Sequence, residues 1–521
     1  MKSDSFLRQP TPTPPLLANF AISFSGQILL FVAGILTTPY ILTTLGAHRY
    51  GTLVVLLAYA EVFGLLELGL HATLVKYLAE SLAQERNTDL NHYFGTSLSL
   101  YLGGGVLISL LVYLSAPFIL VTLTRYDVYD ADALALPFLL ATMNLVLRFI
   151  TQPFAATPIA RQRFDVVIFI NIGTEFLRIA GTILVLGLGY SLTAVLFVTL
   201  LGSVTGACAN IVATTRLVPS LRLRPTFSRP HFSAIFNFSK YILIANLSGR
   251  VLHSLDKLLL AQFVPVRSLA FYAVAYNLGQ RLWVTVGPVT TAVFPAATMI
   301  AAAEQRDKLS RLYVRSSKIV AALATFPAVV LCTLSYELLS HWIDGEFGLY
   351  ASTPLKLLST AFLLNCLGHI PQVFAHATGH PRLTARFAVL NALATLTLML
   401  ALVPIWSITG AALSFLLTQA FLVPWFILTI NRLLGVHTRT LLAEAHLPVL
   451  PAGLLAAVAS LALRPYIAGI PQLAGALLIA FTIYATIVVC FVLDGTERVA
   501  CARFIARALQ TLQRALQTRH V

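Results

Sequence analysis

The apolar residues fall in long unbroken runs with short polar stretches between them, and this pattern holds from one end of the chain to the other. Fourteen runs can be marked, near residues 17–45, 51–80, 93–123, 131–156, 164–189, 192–217, 232–263, 269–299, 312–343, 352–378, 382–406, 409–431, 444–464 and 471–493. Each is long enough for a helix to cross a bilayer, which takes roughly 17–25 residues for about 30 Å of hydrocarbon. Strands spanning a bilayer would instead show alternation over segments of about ten residues. Only helices and closed barrels satisfy every backbone group in lipid, and continuous runs select helices. The pattern predicts an all-α integral membrane fold of fourteen transmembrane helices.

The seventh run opens like the first, with an Asn near its start, a long apolar stretch, and then a short turn bearing Arg and Tyr. The turn residues are Arg49-Tyr50 in one case and Arg267 and Tyr272 in the other. An even number of spans per half makes such repeats parallel, related by an axis along the membrane normal. The expected organisation is two pseudo-symmetric six-helix lobes, 17–217 and 232–435. Residues 1–16 form a cytoplasmic N-terminal segment, the basic, Pro-rich stretch 218–231 a cytoplasmic linker, and 436–495 an added C-terminal helix pair. In the tail, 496–521, Arg503, Arg507 and Arg514 fall on one helical face opposite Cys501, Ile505, Leu509, Leu512 and Leu516. That amphipathic basic segment is expected either to lie on the cytoplasmic membrane surface or to pack on the bundle as a partly solvated helix.

Composition narrows the function. Hydrophobic residues make up 58% of the chain and charged ones 11%, against about a quarter charged in soluble domains. The 35 Lys and Arg exceed the 20 Asp and Glu, giving a net charge of +15. A nucleic-acid-binding domain would gather its basic residues on one soluble face; here they sit between the apolar runs, so no nucleic-acid partner is expected. With the N-terminus in the cytoplasm most of them lie on that side, and only Arg49, Arg125, Arg267 and Arg464 fall outside. The positive-inside rule then puts both termini of this multi-pass membrane protein in the cytoplasm. The first apolar run has neither the short apolar region nor the cleavage site of a signal peptide and is expected to be retained. Five cysteines without paired spacing read as small core residues. There is no GxxxxGK[ST] loop, no HExxH and no zinc spacing, and no outer loop is long enough for a catalytic domain. The chain is expected to be no enzyme and to hold neither metal nor cofactor, apart from coupling to H+ or Na+.

Charges inside the apolar runs carry the functional information, because each costs at least about 2.5–3.5 kcal/mol near the bilayer centre unless it faces water or a partner. Arg148, Arg178, Arg250, Lys257 and Arg281 are candidate substrate-cavity cations, with Asn246 beside them. Glu61, Glu67, Glu175 and Asp256 are candidate ion-coupling carboxylates. In five runs an Asn precedes a charged or titratable residue by four positions, the helical repeat that shares a face: Asn144/Arg148, Asn171/Glu175, Asn246/Arg250, Asn277/Arg281 and Asn365/His369. Two polar stripes extend this, Asn246, Arg250, His253 and Lys257 in one run and Asn365, His369, Gln372 and His376 in another. Such a stripe faces a wet cavity or another polar stripe. The structural alternative is that Asn and Gln act as interhelical glue, that Glu175 and Arg178 pair at i, i+3, and that Asp256 closes on His253 or Lys257. Cations outnumber anions in these runs and cannot all be paired, which suits an anionic ligand.

The segment LGAHRYGTLVVLLAYAEVFGLLELGLHATLVKYLAE at residues 45–80 resembles the first two spans of the polysaccharide transporter family, the Wzx-like oligosaccharide flippases of the MOP superfamily. SLDKLLLAQFVPVRSLAFYAVAYNLGQRLWVTVGPVTTAVFPA at 254–296 is similar to the family's spans 7–8, and HATGHPRLTA at 376–385 and ITGAALSFLLTQ at 408–419 to its spans 10–12. The resemblance covers roughly the first 430 residues. It implies an alternating-access bundle that moves a polyprenyl-diphosphate-linked oligosaccharide from the cytoplasmic to the periplasmic leaflet for O-antigen or exopolysaccharide biosynthesis. A cationic cavity for the diphosphate and sugar goes with it, as do membrane lipids, a polysaccharide polymerase and a chain-length regulator as partners. Where the family often has Asp in a DLGL segment, this chain has Glu67 in Glu67-Leu68-Gly69-Leu70. Two other readings stay open. A MATE-like cation or drug antiporter would need an anionic cavity, and a membrane glycan polymerase or ligase would need a sizeable outer loop with acid–base residues.

Overall fold

A computed structural model describes the backbone of residues 14–64, 69–124, 131–161, 163–495 and 497–498, and their side chains except 14–32, 35, 60–64, 118–124, 131–133 and 240–255. Sixteen helices make up nearly all of it. In order they are α1 (Pro14–Gly64), α2 (Leu70–Ala83), α3 (Asn87–Thr124), α4 (Ala131–Ala160), α5 (Phe164–Gly187), α6 (Leu192–Leu217), α7 (Arg229–Phe263) and α8 (Val266–Gln280). There follow α9 (Leu282–Ala302), α10 (Arg306–Thr333), α11 (Ser335–Trp342), α12 (Gly345–Ala377), α13 (Pro381–Leu434), α14 (Thr438–Leu441), α15 (Val449–Leu463) and α16 (Ile470–Ile487). No strand occurs among the described residues. The chain divides into two compact units, Met1–Ala273 and Val274–Val521.

Eleven helices among the described residues are long and apolar enough to cross a membrane, so the expected count of fourteen is not reproduced. Three of the expected spans are absorbed or undescribed. The first two run together in α1, which bends at Gly46 (φ 78°, ψ 156°), and the eleventh and twelfth run together in α13, which bends at Ser407 (φ 54°, ψ −136°). The seventh lies in α7, where most of the central side chains fall outside the described residues.

In the first unit, α1 packs on α5 and α7, α3 on α4, and α6 on both α4 and α5. Gly46 supplies the positive φ at which α1 bends. Five residues on, Gly51 lets α1 approach the start of α8 at backbone distance, since a Cβ there would lie 2.0 Å from the Val266 carbonyl oxygen. With no water to expel from between helices in lipid, such close packing and interhelical hydrogen bonds are what hold a bundle together. Leu74 and Leu78 of α2, Phe94 of α3, Phe154 of α4 and Val218 beyond α6 form a buried cluster. The chain from 218 to 228, expected as a linker, is strapped along the start of α3. Its Thr226 amide donates to the Gly95 carbonyl (3.2 Å) and its Arg222 amide to Asn91 Oδ1 (2.6 Å). Ser99 Oγ donates to the Thr226 carbonyl (3.1 Å) and the Ser228 amide to Thr96 Oγ1 (3.2 Å).

In the second unit a buried chain of polar side chains ties three helices. Trp283 Nε1 of α9 donates to Asn365 Oδ1 of α12 (3.1 Å), Asn365 Nδ2 to Gln419 Oε1 of α13 (3.0 Å), and Gln419 Nε2 to Asn391 Oδ1 (2.9 Å). Asn391 and Gln419 lie on opposite sides of the Ser407 bend, so this chain holds the two arms of α13 together. Helices α15 and α16 pack on α10 through Ala452, Ala456, Tyr484 and Ala322, and Tyr484 Oη donates to the Ala322 carbonyl (2.6 Å). Ionic contacts join this pair to the unit at both ends. Arg464, in a 3-10 turn after α15, bonds Glu337 of α11. Beyond α16, Glu497 pairs with Lys318 Nζ (2.9 Å) and Arg315 Nε (2.9 Å), and Asp494 with Lys318 (3.0 Å).

Candidate functional site

Helices α4, α5 and α6 of the first unit each turn one polar face inward. On α5 the face is Asn171, Thr174, Glu175 and Arg178, the i, i+3, i+4, i+7 repeat of a single helix side. Phe169, Phe176 and Leu184 occupy its other side and are exposed by 80%, 70% and 62%, as a surface bathed in lipid requires. Arg148, Thr151 and Gln152 come from α4 at the same spacing. From α6 come Thr199, Gly202, Ser203, Gly206 and Asn210. Gly202 and Gly206 are a GxxxG pair. A Cβ on Gly206 would sit 3.0 Å from Thr174 Cγ2, so the missing side chains let α6 close on α5 while the longer polar groups around them stand apart. They line an open cavity of about 430 Å³.

The charges in this cavity are unequally matched. Arg178 Nε donates to Glu175 Oε2 (2.9 Å) and its Nη2 donates to Oε1, a two-pronged bond along one helix. Arg148 lines the same cavity, and its guanidinium has no hydrogen-bonding or ionic partner among the described residues. Asn144, one helical turn before Arg148, is buried and accepts from Ser203 Oγ (2.6 Å), which ties α4 to α6.

The threonines act as acceptors. Thr151, Thr174 and Thr199 donate their hydroxyl hydrogens to main-chain carbonyls of their own helices, at 2.9, 2.9 and 2.8 Å. Their oxygens keep free lone pairs towards the cavity. Asn210 Nδ2 donates one hydrogen to the Gly206 carbonyl (2.8 Å), leaving its second N–H to donate and its Oδ1 to accept. Among the described residues the cavity therefore holds one uncompensated cation, one closed ion pair, threonine oxygens that accept, and the amides of Gln152, Asn171 and Asn210, which can also donate.

Of the expected site residues, this structure gathers Arg148, Arg178 and Glu175. Arg178 lines the cavity and is paired with Glu175 three residues away on the same face, the i, i+3 pair weighed as the structural alternative. Lys257 does not line this cavity, and Arg281 lies at the junction of α8 and α9 in the second unit. Asp256 is buried, accepting from Tyr272 Oη (3.1 Å) and from the Lys257 amide (2.7 Å). Glu61, Glu67, Asn246 and Arg250 lie outside the residues whose side chains are described. The stripe from Asn365 to His376 meets a protein partner at its first end: Asn365 is in the Trp283–Gln419 chain, and His369 stands edge-on to Trp283 at 5.5 Å. Gln152, Thr199, Ser203 and Asn210 were missed, because a search led by charge passes over neutral polar groups. Their signal was the small polar face Gly202, Ser203, Gly206, Asn210 on one side of α6.

Comparison with known proteins places this geometry. A family model described as "Polysaccharide biosynthesis protein" matches residues 47–345. The uncharacterized membrane protein EpsK of Bacillus subtilis (strain 168) is 21% identical over 364 residues, 68% of this chain and 70% of that protein. A candidate O-antigen transporter of Shigella flexneri is 23% identical over 198 residues, 37% of this chain and 46% of that one. Among solved structures, the lipid II flippase MurJ in an inward closed conformation superposes with a TM-score of 0.67 at 14% identity, covering 90% of this chain and 98% of that one. An inward-facing MATE family multidrug transporter of the MOP superfamily gives 0.60 at 12% identity, covering 80% and 98%. At such identities the structural likeness speaks for the fold, an all-α, multi-pass membrane architecture shared with MOP superfamily transporters. The family match covers more than half of the sequence, and the chain belongs to the polysaccharide biosynthesis protein family.

Proposed function

We propose that this protein is a flippase, carrying a polyprenyl-diphosphate-linked oligosaccharide from the cytoplasmic to the periplasmic leaflet of a bacterial inner membrane for surface polysaccharide assembly. The observation that carries the reading is the polar cavity walled by α4, α5 and α6 inside a unit whose outer surface is apolar, in a chain of the polysaccharide biosynthesis family. Polar groups inside a membrane bundle are costly and normally serve a pathway. The relative described as an O-antigen transporter and the fold of a lipid II flippase support the same reading. Transport would proceed by alternating access of two six-helix lobes, with both termini cytoplasmic. The protein would perform no covalent chemistry and would deliver its cargo to a polymerase and chain-length regulator. Of the two described carboxylates put forward for coupling, Glu175 is the one at the cavity, where a proton or sodium ion could exchange with Arg178.

The test is sidedness. In a strain lacking the gene, lipid-linked oligosaccharide should accumulate where a glycosidase confined to the periplasm cannot reach it, and a plasmid copy should restore access. Normal access in the deletion strain refutes the proposal. The fold is shared with a MATE-type transporter, so a cationic-drug antiporter is the second reading. The cavity disfavours it, since Arg148 stands uncompensated and would repel a cationic drug; a deletion that shifts drug susceptibility while sidedness stays normal would favour it.

A further inference from the structure

We propose that the segment joining α6 to α7 is a docking surface for anionic phospholipid, with arginines that take the headgroup phosphates and a row of phenylalanines that enters the acyl region beside them. The surface lies outside the α4–α5–α6 cavity and does not depend on the flippase reading.

Its place at a membrane face follows from α6. That helix is long and apolar enough to cross a bilayer and ends at Leu217, so the residues after it emerge at a membrane surface. From Arg216 to Lys240 the sequence has five Lys and Arg and no Asp or Glu. Arg222, Arg224 and Arg229 are exposed, and their guanidiniums have no hydrogen-bonding or ionic partner among the described residues. Asp89 of α3, a carboxylate that meets the start of α7, is taken by Arg86 (3.9 Å) and by His231 Nε2 (3.5 Å). Unpaired guanidiniums gathered at a leaflet surface fit lipids that carry phosphate and a net negative charge.

The other side of the segment is spent on the protein. Besides the strap's bonds to Asn91, Gly95, Thr96 and Ser99, Ser220 Oγ donates to Asn87 Oδ1 (3.1 Å) and the Ser220 carbonyl accepts from Asn91 Nδ2 (3.3 Å). A Cβ on Gly95 would lie 2.1 Å from Thr226 Oγ1, so the strap lies on α3 at backbone distance. On α7, Ile235 is buried, Ser239 Oγ donates to Thr73 Oγ1 of α2 (2.9 Å), and Phe238 stands edge-on to Tyr77 at 6.2 Å. Phe232 and Phe236, four residues apart, share another face of the helix. Phe227 of the strap extends their row, with ring centroids 5.4 Å apart from Phe227 to Phe232 and 5.9 Å from Phe232 to Phe236. Phe227 is exposed by 65% and Phe236 by 55%, and exposed apolar groups lying together mark a surface that something apolar covers. An acidic soluble protein would match the arginines too. The row, however, runs from the strap into the apolar stretch of α7, continuous with the surface that hydrocarbon covers, where a soluble partner cannot follow.

The test uses the full-length protein in nanodiscs of mixed phosphatidylglycerol and phosphatidylcholine, released into mild detergent, with the retained lipids counted by native mass spectrometry. The parent should keep phosphatidylglycerol in preference, and glycerol phosphate, the same headgroup chemistry without acyl chains, should not displace it. Arg222→Ala, Arg224→Ala and Arg229→Ala should each lower phosphatidylglycerol affinity about fivefold and leave phosphatidylcholine unchanged. Phe227→Ala should weaken both lipids, because acyl contact is blind to the headgroup. The triple variant Arg306→Ala, Lys308→Ala, Arg311→Ala removes as much charge from the start of α10, where Glu304 and Asp307 stand among the cations and the one aromatic nearby, Tyr313, is buried; it should retain lipid like the parent. Equal retention of the two lipids by the parent, a measurement that needs no variant to fold, overturns the proposal, and is the result an acidic protein partner would give. Displacement by glycerol phosphate overturns it in favour of a soluble phosphate site. Unchanged phosphatidylglycerol affinity in well-folded strap variants overturns it as well, and so does a loss in the α10 variant as large as theirs, which would trace the preference to overall charge.

Discussion

Glu85 and Glu304 have the same unusual backbone, each at φ 55° in a solvent-exposed turn. Their hydrogen bonds match residue for residue. The Glu85 amide donates to the Leu82 carbonyl and that of Arg86 to Ser81, as the Glu304 amide donates to Ala301 and that of Gln305 to Ile300. This is the left-handed helix cap that glycine normally fills, and a side chain there meets its own carbonyl at a cost of about 1 kcal/mol. Glu85→Gly and Glu304→Gly should each stabilise the protein, raising the apparent melting temperature in detergent by about 1–2 °C for a chain of this size; a fall for either shows that its side chain holds the turn. The same residue-by-residue argument applies to Glu175. Replacing it by Gln leaves Arg178 unpaired in a half-exposed position, with a stability loss of about 1 kcal/mol. The cavity then has two free guanidiniums in place of one. Inorganic pyrophosphate should bind Glu175→Gln more tightly than it binds the parent, and equal affinity would mean that the ion pair does not set the charge of the site.

Helices show where sequence reading succeeds and where it stops. The run 192–217 and the helix Leu192–Leu217 coincide, because Gly189-Tyr190-Ser191 precede it and Pro219 follows, and the residue before a proline is driven out of the helical region. The turn at Gly69 (φ 69°) went unseen, since one residue with altered backbone does not disturb a hydropathy average over twenty. The cavity was legible in part for a similar reason. Arg148, Glu175 and Arg178 stand out by the cost of charge in lipid, while Gln152, Ser203 and Asn210 cost little and merge with ordinary interhelical glue. The inward faces can be tested by filling the space between them. Ala155 lines the cavity without a polar role, so Ala155→Phe should block glycan transport while membrane insertion and melting temperature stay near those of the parent. Retained transport would move the pathway elsewhere. The added pair α15 and α16 poses a different question, since its inner end depends on charges that are almost fully buried: Lys318 and Glu497 side chains are exposed by only 9% and 5%. Lys318→Ala leaves Glu497 with Arg315 alone, and losing one partner of a buried ion pair costs about 3–5 kcal/mol. The loss should be near the lower end here, because Arg315 remains, and it should show as a lower melting temperature together with proteolysis beyond residue 493. An unchanged melt would mean that apolar packing through Tyr484 and Ala452 is sufficient.

At the scale of the whole molecule, the placement of the 35 Lys and Arg is a statement about direction. Basic residues near the ends of transmembrane helices resist translocation, so the side that holds most of them stays in the cytoplasm. Arg222, Arg224 and Arg229 cluster around the strap between α6 and α7, and Arg306, Lys308 and Arg311 open α10. By contrast the turn between α5 and α6, at Tyr190, carries no charge, and the turn between α15 and α16 has Arg464 alone, bonded to Glu337. The turns with Glu85 and Glu304 should therefore face the cytoplasm, and those with Tyr190 and Tyr466 the opposite side. Single cysteines at these four positions, in a protein whose five native cysteines are replaced by serine or alanine, make the prediction measurable with a maleimide that cannot cross the membrane. Tyr190→Cys and Tyr466→Cys should react in intact spheroplasts, and Glu85→Cys and Glu304→Cys only after the membrane is opened. The reverse pattern would turn the molecule over, and a flippase loaded from the cytoplasmic leaflet would then need its cargo built on the other side. A mixed pattern, with Glu85 and Glu304 on different sides, would go further: it would break the parallel repeat, since the same turn can recur on one side of the membrane only if an even number of crossings separates its two copies.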